Sequence, residues 1–487
     1  MGSSAVRIER DFLGKIAVPR DAYYGGFTQR ALENFQISHF VADPDFLHAL
    51  AFVKKASAKA NMHFGLLDTR RGEAILHACD EILTGKHFDQ FPVDIFQAGA
   101  GTPFNMNMNE VLANLATEFL GGKKGEYLVS PNDHVNMSQS TNDVIPTAMR
   151  LTLLFKLPFL LHELDQLITA YQKKAETFSH ILKVGRTHLM DAVPLTLGQE
   201  FQAVASLLQH ERAYVHISAQ ALSEIHLGGT AIGTGLNTPP TYHHVVTKEL
   251  AHLTKLPFVP TPDPIELTSS MHAFVMFSNA LRSLSISLLK LCNDLVLLNS
   301  GPRAGISEIM LQGVEPGSSI MAGKVNPSIV ESLQMVCYQV LGNDHAVVLA
   351  AQAGQLELNT MTPVIMDNLF NSLNFLTRAL QGFIEKCVVH IQANLDRCRQ
   401  LLEQSTCYAT ALNPYFGYKI VSFFVHESIL HHKDIRTVLA DTKILTAKEL
   451  DTLLSLEALT EPRKIDLALR SKIQQHPAYQ IFLKKVS

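Results

Sequence analysis

The 487-residue chain is 47% apolar and 18% charged, a balance that suits a folded, well-packed protein long enough for two or three domains. Its formal net charge of −4, with no lysine- or arginine-rich cluster, argues against nucleic acid as a partner. No apolar run approaches the ~20 residues of a membrane span, and the opening MGSSAVRIER has no apolar leader core.

Six cysteines without CxxC spacing predict a reduced, cytoplasmic protein. The 22 histidines show no HExxH pattern and make no case for a metal site. Residues 1–142 read as mixed but mainly helical, with loop signals at 14–26 and 99–109. The segment GAGTPFNMNMNE (99–110) puts Thr102 and three asparagines in a polar loop ahead of a helix. SQSTND (138–143) precedes Pro146 and a helical pattern. Its side chains suit helix capping, and equally the grip of an anion.

Long helices dominate the middle of the chain. One apolar seam runs Leu157, Leu160, Leu161, Leu164, Ile168 and Tyr171. A second runs Leu197, Phe201, Val204, Leu208 and Val215, preceded by GRTHLMDAVP (185–194) with Thr187 and His188. GGTAIGTG (228–235) imitates a dinucleotide fingerprint, but no hydrophobic strand precedes it and no acidic residue follows at the required distance. From Phe274 through Phe277, Leu281, Leu284, Leu288, Leu291 and Leu295 to Leu298, steps of three and four alternate without a break. A fourth seam runs Ile329, Leu333, Val336 and Val340. Beyond residue 395 the helices shorten, and Thr446-x-x-Glu449 reads as a capping box. Domains at 1–142, 143–395 and 396–487 are expected, the middle one an elongated helix bundle with more than one buried face.

GSSIMAGKVNP (317–327) carries the densest chemistry. Ser318 and Ser319 lie between glycines, Lys324 and Asn326 follow, and Pro327 fits the first turn of a helix. Unpaired N–H groups at such an end attract a carboxylate and ease the loss of a serine proton. Four polar loops, each leading into a helix, supply hydroxyls, amides, one imidazole and one ammonium. That inventory suits a small dicarboxylate.

These segments resemble the signature regions of the fumarase/aspartase superfamily, with GSSIMAGKVNP similar to its GSSxMPxKxN loop. The resemblance runs from Arg7 to Leu454 with the motifs in order. It leans to the branch that acts on aspartate through DAYYGGFTQRALENF (21–35), DQFPVDIFQAGAGT (89–102), GTAIGTGLNTP (229–239), GPRAGISEI (301–309) and GNDHAVVLAAQAGQLELN (342–359).

The resemblance implies a mostly α, three-domain subunit in a homotetramer built on a core of about 20 helices, its active sites shared between subunits. It implies reversible loss of ammonia from L-aspartate to give fumarate, with Ser318 taking the Cβ proton through an aci-carboxylate. Ser140, Thr141 and Ser319 would hold the β-carboxylate, and Thr187, Lys324 and Asn326 the α-carboxylate. Thr102, Asn142 and His188 would surround the amino group, with Glu331 supporting the histidine. No organic cofactor is implied, and a divalent metal activator is left open. Hydration of fumarate and a binding role without turnover are the alternatives. Three departures bear on rate and substrate preference: Ala322 for the loop's usual proline, Met190 for a glutamine, and Pro103-Phe104 for a small polar pair. Phe104 and Met190 are expected in the pocket wall.

Overall fold

The computed structural model describes residues 6–486. Residues 1–5, part of the stretch read for a leader, lie outside the described residues. A hairpin of β1 (Val6–Asp11) and β2 (Gly14–Pro19) comes first, followed by α1 (Gly26–Asn34), α2 (Pro44–His63), α3 (Thr69–Leu83) and α4 (Thr102–Phe119). Next are α5 (Thr141–Thr177), the antiparallel pair β3 (Leu182–Thr187) and β4 (Met190–Thr196), and α6 (Leu197–Ala219). Short strands β5 (Glu224–Ile225) and β6 (Val259–Pro260) flank α7 (Tyr242–Thr254). Then come α8 (Pro264–Ser269), α9 (His272–Asn299), β7 (Ile309–Met310), α10 (Ser328–Gln352), α11 (Thr362–Lys386), β8 (Gln392–Ala393) and α12 (Leu395–Gln404). Short helices fill 413–486. The fold is mostly α.

The chain folds into two compact units. One comprises Met1–Glu163, Glu211–Ile286 and Met335–Ala379, and the other Leu164–His210, Ser287–Gln334 and Leu380–Ser487. Each of α5, α6, α9, α10 and α11 contributes a segment to both. All eight seam residues of α9 are buried, and each such side chain contributes about 1.5–3 kcal/mol by leaving water. The seam of α10 is displaced from the expected one. Val330, Leu333, Cys337 and Val340 are buried, while Ile329 and Val336 are only partly so.

Helix α5 spans 37 residues despite Pro146 and Pro158 inside it. Proline has no N–H to give the carbonyl four residues back. At Pro146 that carbonyl belongs to Asn142, and His226 Nε2 donates to it at 2.9 Å instead. By length and composition α5 could cross a membrane, contrary to the expectation of no such segment. Its apolar window is 78% buried inside the protein, as in the core helix of a soluble fold. All six cysteines are buried. The capping box forms as expected, with the Thr446 hydroxyl and Glu449 carboxylate bonded reciprocally at the start of Ala447–Leu453.

Candidate active site

The first unit holds Thr102, Ser140, Thr141 and Asn142. Ahead of α4, Gly99, Ala100 and Gly101 all have left-handed φ, a tight turn that delivers Thr102 to the helix start. The polar loop expected over 99–110 is therefore helical from Thr102 onward, and the asparagines lie on a buried helix rather than in a turn. Proline at an early helix position was the local signal for this. Thr102 Oγ1 donates to Gly99 O at 2.6 Å and lies 3.1 Å from Thr141 Oγ1. Thr141 Oγ1 also accepts from Asn105 Nδ2 at 3.3 Å.

Ser140 caps α5. Its hydroxyl accepts the Asn142 N–H at 3.2 Å, and its own N–H donates to the Asp143 carboxylate at 2.9 Å. Asp143 is fully buried and also accepts Gly228 N at 2.9 Å and Thr230 N at 3.0 Å. The glycine-rich 228–235 stretch thus clamps the start of α5 from inside the unit. Asn142 Nδ2 donates to Ala231 O at 2.7 Å in the same stretch.

Beneath this group is a cation that the motifs did not reveal. Lys54 has no exposed surface, and its Nζ donates to Asn136 Oδ1 at 3.1 Å and Gln139 Oε1 at 2.9 Å. Asn136 Oδ1 also takes Asn105 Nδ2 at 3.2 Å and Asn109 Nδ2 at 3.1 Å. A chain of polar contacts therefore runs from Lys54 through Asn136 and Asn105 to Thr141. Burial lowers the Lys54 pKa to about 7, against the pull of Asp143, and burial raises that of Asp143 to about 6. The sequence signal was available: Lys54 falls on the stripe of α2 that otherwise buries Leu47, Leu50, Ser57 and Asn61.

The second unit holds the remaining residues. GRTHLMDAVP forms a β-hairpin and not the loop expected, with Thr187 pairing Met190 across a two-residue turn. Both turn residues, His188 (φ 53) and Leu189 (φ 61), are left-handed without being glycine, and Thr187, His188 and Met190 are exposed at the tip. In the 311–327 loop, Ser318 Oγ accepts the N–H of Ile320 at 3.2 Å and of Met321 at 2.9 Å. Asn326 Nδ2 donates to Gly317 O at 2.8 Å, and Gly317 N to Lys324 O at 2.8 Å, so the loop is stapled at its base. Ser319 and Lys324 are exposed. Pro327 precedes α10 and its carbonyl accepts Glu331 N at 3.0 Å, which leaves the Glu331 side chain exposed in the first turn.

The two residues expected in the pocket wall are placed differently. Phe104 is 3% exposed and packs edge-on against Phe46, 5.7 Å between ring centroids, so it belongs to the core. Met190 is 70% exposed at the hairpin tip in the single chain.

The mostly helical fold thus presents polar residues at helix starts and a serine hydroxyl that accepts two backbone N–H groups. A lyase family model matches residues 14–342. Aspartate ammonia-lyase from Escherichia coli (strain K12) is 47% identical over 467 residues, 94% of this chain and 97% of the relative. Among solved structures, a fumarate lyase:delta crystallin from Brucella melitensis bound to cobalt is 45% identical, with a TM-score of 0.91 over 94% of this chain and all of the other. A class II fumarase from Schistosoma mansoni is 35% identical, also with a TM-score of 0.91 and the same coverage. The chain belongs to the fumarase/aspartase superfamily of lyases.

Proposed function

We propose that this protein is a carbon–nitrogen lyase that converts L-aspartate reversibly to fumarate and ammonia. The observation that carries the reading is the Ser318 hydroxyl, which accepts two backbone N–H groups in the loop that matches the superfamily signature. Such donors stabilise an alkoxide more than a hydroxyl, so the serine becomes a usable base. It removes the Cβ proton of aspartate, and charge builds on the β-carboxylate as an aci-carboxylate. Ser140, Thr141 and Ser319 receive that charge, and donors fixed beforehand are the largest electrostatic contribution available. Thr187, Lys324 and Asn326 hold the α-carboxylate. Thr102, Asn142 and His188 surround the departing ammonia, with Glu331 behind the histidine.

In this reading the three segments 1–142, 143–395 and 396–487 are domains of a subunit that works as a cytoplasmic homotetramer, with each site drawing on several chains. The chemistry uses no organic cofactor, and a divalent metal acts, if at all, as an activator. The purified protein incubated with L-aspartate should release fumarate and ammonia in equal amounts. Equal or faster turnover of malate would assign it to the hydratases, and no turnover of either substrate would leave a binding role.

A further inference from the structure

The stretch GPRAGISEI (301–309) contains Glu308, to which the reaction assigns no role. Glu308 has no exposed surface. Arg186 grips it with both terminal nitrogens, Nη1 to Oε2 at 2.9 Å and Nη2 to Oε1 at 3.0 Å, while Lys183 Nζ lies 3.2 Å from Oε2. Lys183 is itself buried and also pairs with Glu200 at 3.2 Å, so two cations face two carboxylates. The backbone of Glu308 is fixed as well. Its N–H donates to Leu298 O and its carbonyl accepts Asn394 N, both at 2.9 Å, in line with the β7–β8 pairing. Arg397 ties down the preceding turn through Gly305 O at 3.0 Å and Ile306 O at 3.1 Å. Glu308 is a rigid post.

That post meets the hairpin where it needs one. The β3–β4 register shifts between Val184 and Arg186, and at Gly185 a Cβ would sit 2.4 Å from Val193 O. Backbone pairing therefore does not carry the inner strand geometry smoothly to the tip. Beyond the irregularity, His188 and Leu189 hold left-handed φ values that non-glycine residues keep only when their surroundings impose them. Arg186 is two residues from His188, and its two-pronged contact fixes direction as well as distance. A buried charge cluster adds little to stability but can specify one arrangement.

We infer that Glu308 is a positioning residue that, through Arg186, holds the hairpin tip so that His188 meets the substrate. This rests on the site reading above. The test compares Glu308→Gln, Arg186→Lys and His188→Asn singly, with the first two also combined with His188→Asn. Melting temperature and sedimentation establish folding and assembly for each. Glu308→Gln should lower kcat at least ~10-fold with KM changed less than ~3-fold, and Arg186→Lys, which keeps the charge but loses the fork, should follow it. With His188→Asn already present, either change should cost less than about twofold more, because the residue they position is gone. Equal fractional losses in both backgrounds would mean a structural role and overturn the inference. The same holds for near-normal kcat in folded Arg186→Lys. His188→Asn with unchanged kcat would instead refute the role of the histidine, and this inference would fall with it.

Discussion

A hydroxyl that accepts two backbone N–H groups is closer to giving up its proton than one in water, and Ser318 has those donors at 3.2 and 2.9 Å. Ser318→Ala should lower kcat by orders of magnitude and keep substrate binding largely intact, since the carboxylate grips remain. Solvent exchange of the aspartate Cβ proton isolates the step, and near-normal exchange in this variant would move the base to another group. Lys324→Ala removes a charged partner of the substrate α-carboxylate, so KM should rise at least ~10-fold and exchange should partly recover as substrate is raised. Away from the site, Asp94 offers a different kind of test. Burial alone would raise its pKa, yet the N–H groups of Phe96, Ser38, His39 and Ile37 and the Ser38 hydroxyl outweigh it and hold the pKa at about 2. The folded value lies below the ordinary 3.8, so this stability is present above pH 4 and is lost as pH falls towards 2. Asp94→Asn should cost about 2 kcal/mol at neutral pH, with the gap to the unaltered protein closing in acid. A gap in melting temperature that does not vary with pH would rule out this account.

At the scale of the element, caps and turns decide where helices begin. Thr446→Ala removes the hydroxyl half of the capping box at the exposed start of Ala447–Leu453, the acceptor of Glu449 N–H, while the backbone N–H that donates to the Glu449 carboxylate remains. The loss should be about 1 kcal/mol, read as a lower denaturation midpoint with unchanged kinetics on aspartate. That box was legible because its two residues are three apart and bond each other locally. The seams of α5, α6 and α9 were legible because a packed helix repeats its buried positions every 3.6 residues. The fourth seam was misplaced because Cys337, not counted among the apolar positions, is the buried residue there. The asparagines of α4 looked like turn formers since their side chains compete for local backbone. Contacts with Asn136 and with Gln90 O, made by residues distant in sequence, bind those side chains and free the backbone to be helical. The His188 hairpin lacked the Asn-Gly pair that advertises such turns, and one of its two left-handed residues, His188, is a candidate chemical residue. Site residues were recognisable by type and order. Of the groups that hold them from beneath, Lys54 was marked only as a charge on the buried stripe of α2 and Glu308 not at all, since buried partners are chosen by three-dimensional contact.

For the molecule as a whole, the long helices leave large apolar side chains uncovered in the single chain: Met335 is 61% exposed, Tyr338 59%, Ile286 54% and Leu349 48%. Uncovered positions on core helices favour association with further copies, in keeping with the proposed tetramer. If Thr141, His188 and Ser318 of one site come from different chains, two dead variants should rescue each other. Ser318→Ala and Thr141→Val subunits, unfolded together and reassembled at equal ratio, should contain sites in which both residues are intact. Random mixing puts about a quarter of the sites in that state, so activity should return to about a quarter of the unaltered level while each variant alone stays inactive. Dilution to folded dimers or monomers should abolish turnover over the same range in which sedimentation shows dissociation. A mixture no more active than its separate components, or a monomer with full activity, would mean that one chain builds the whole site.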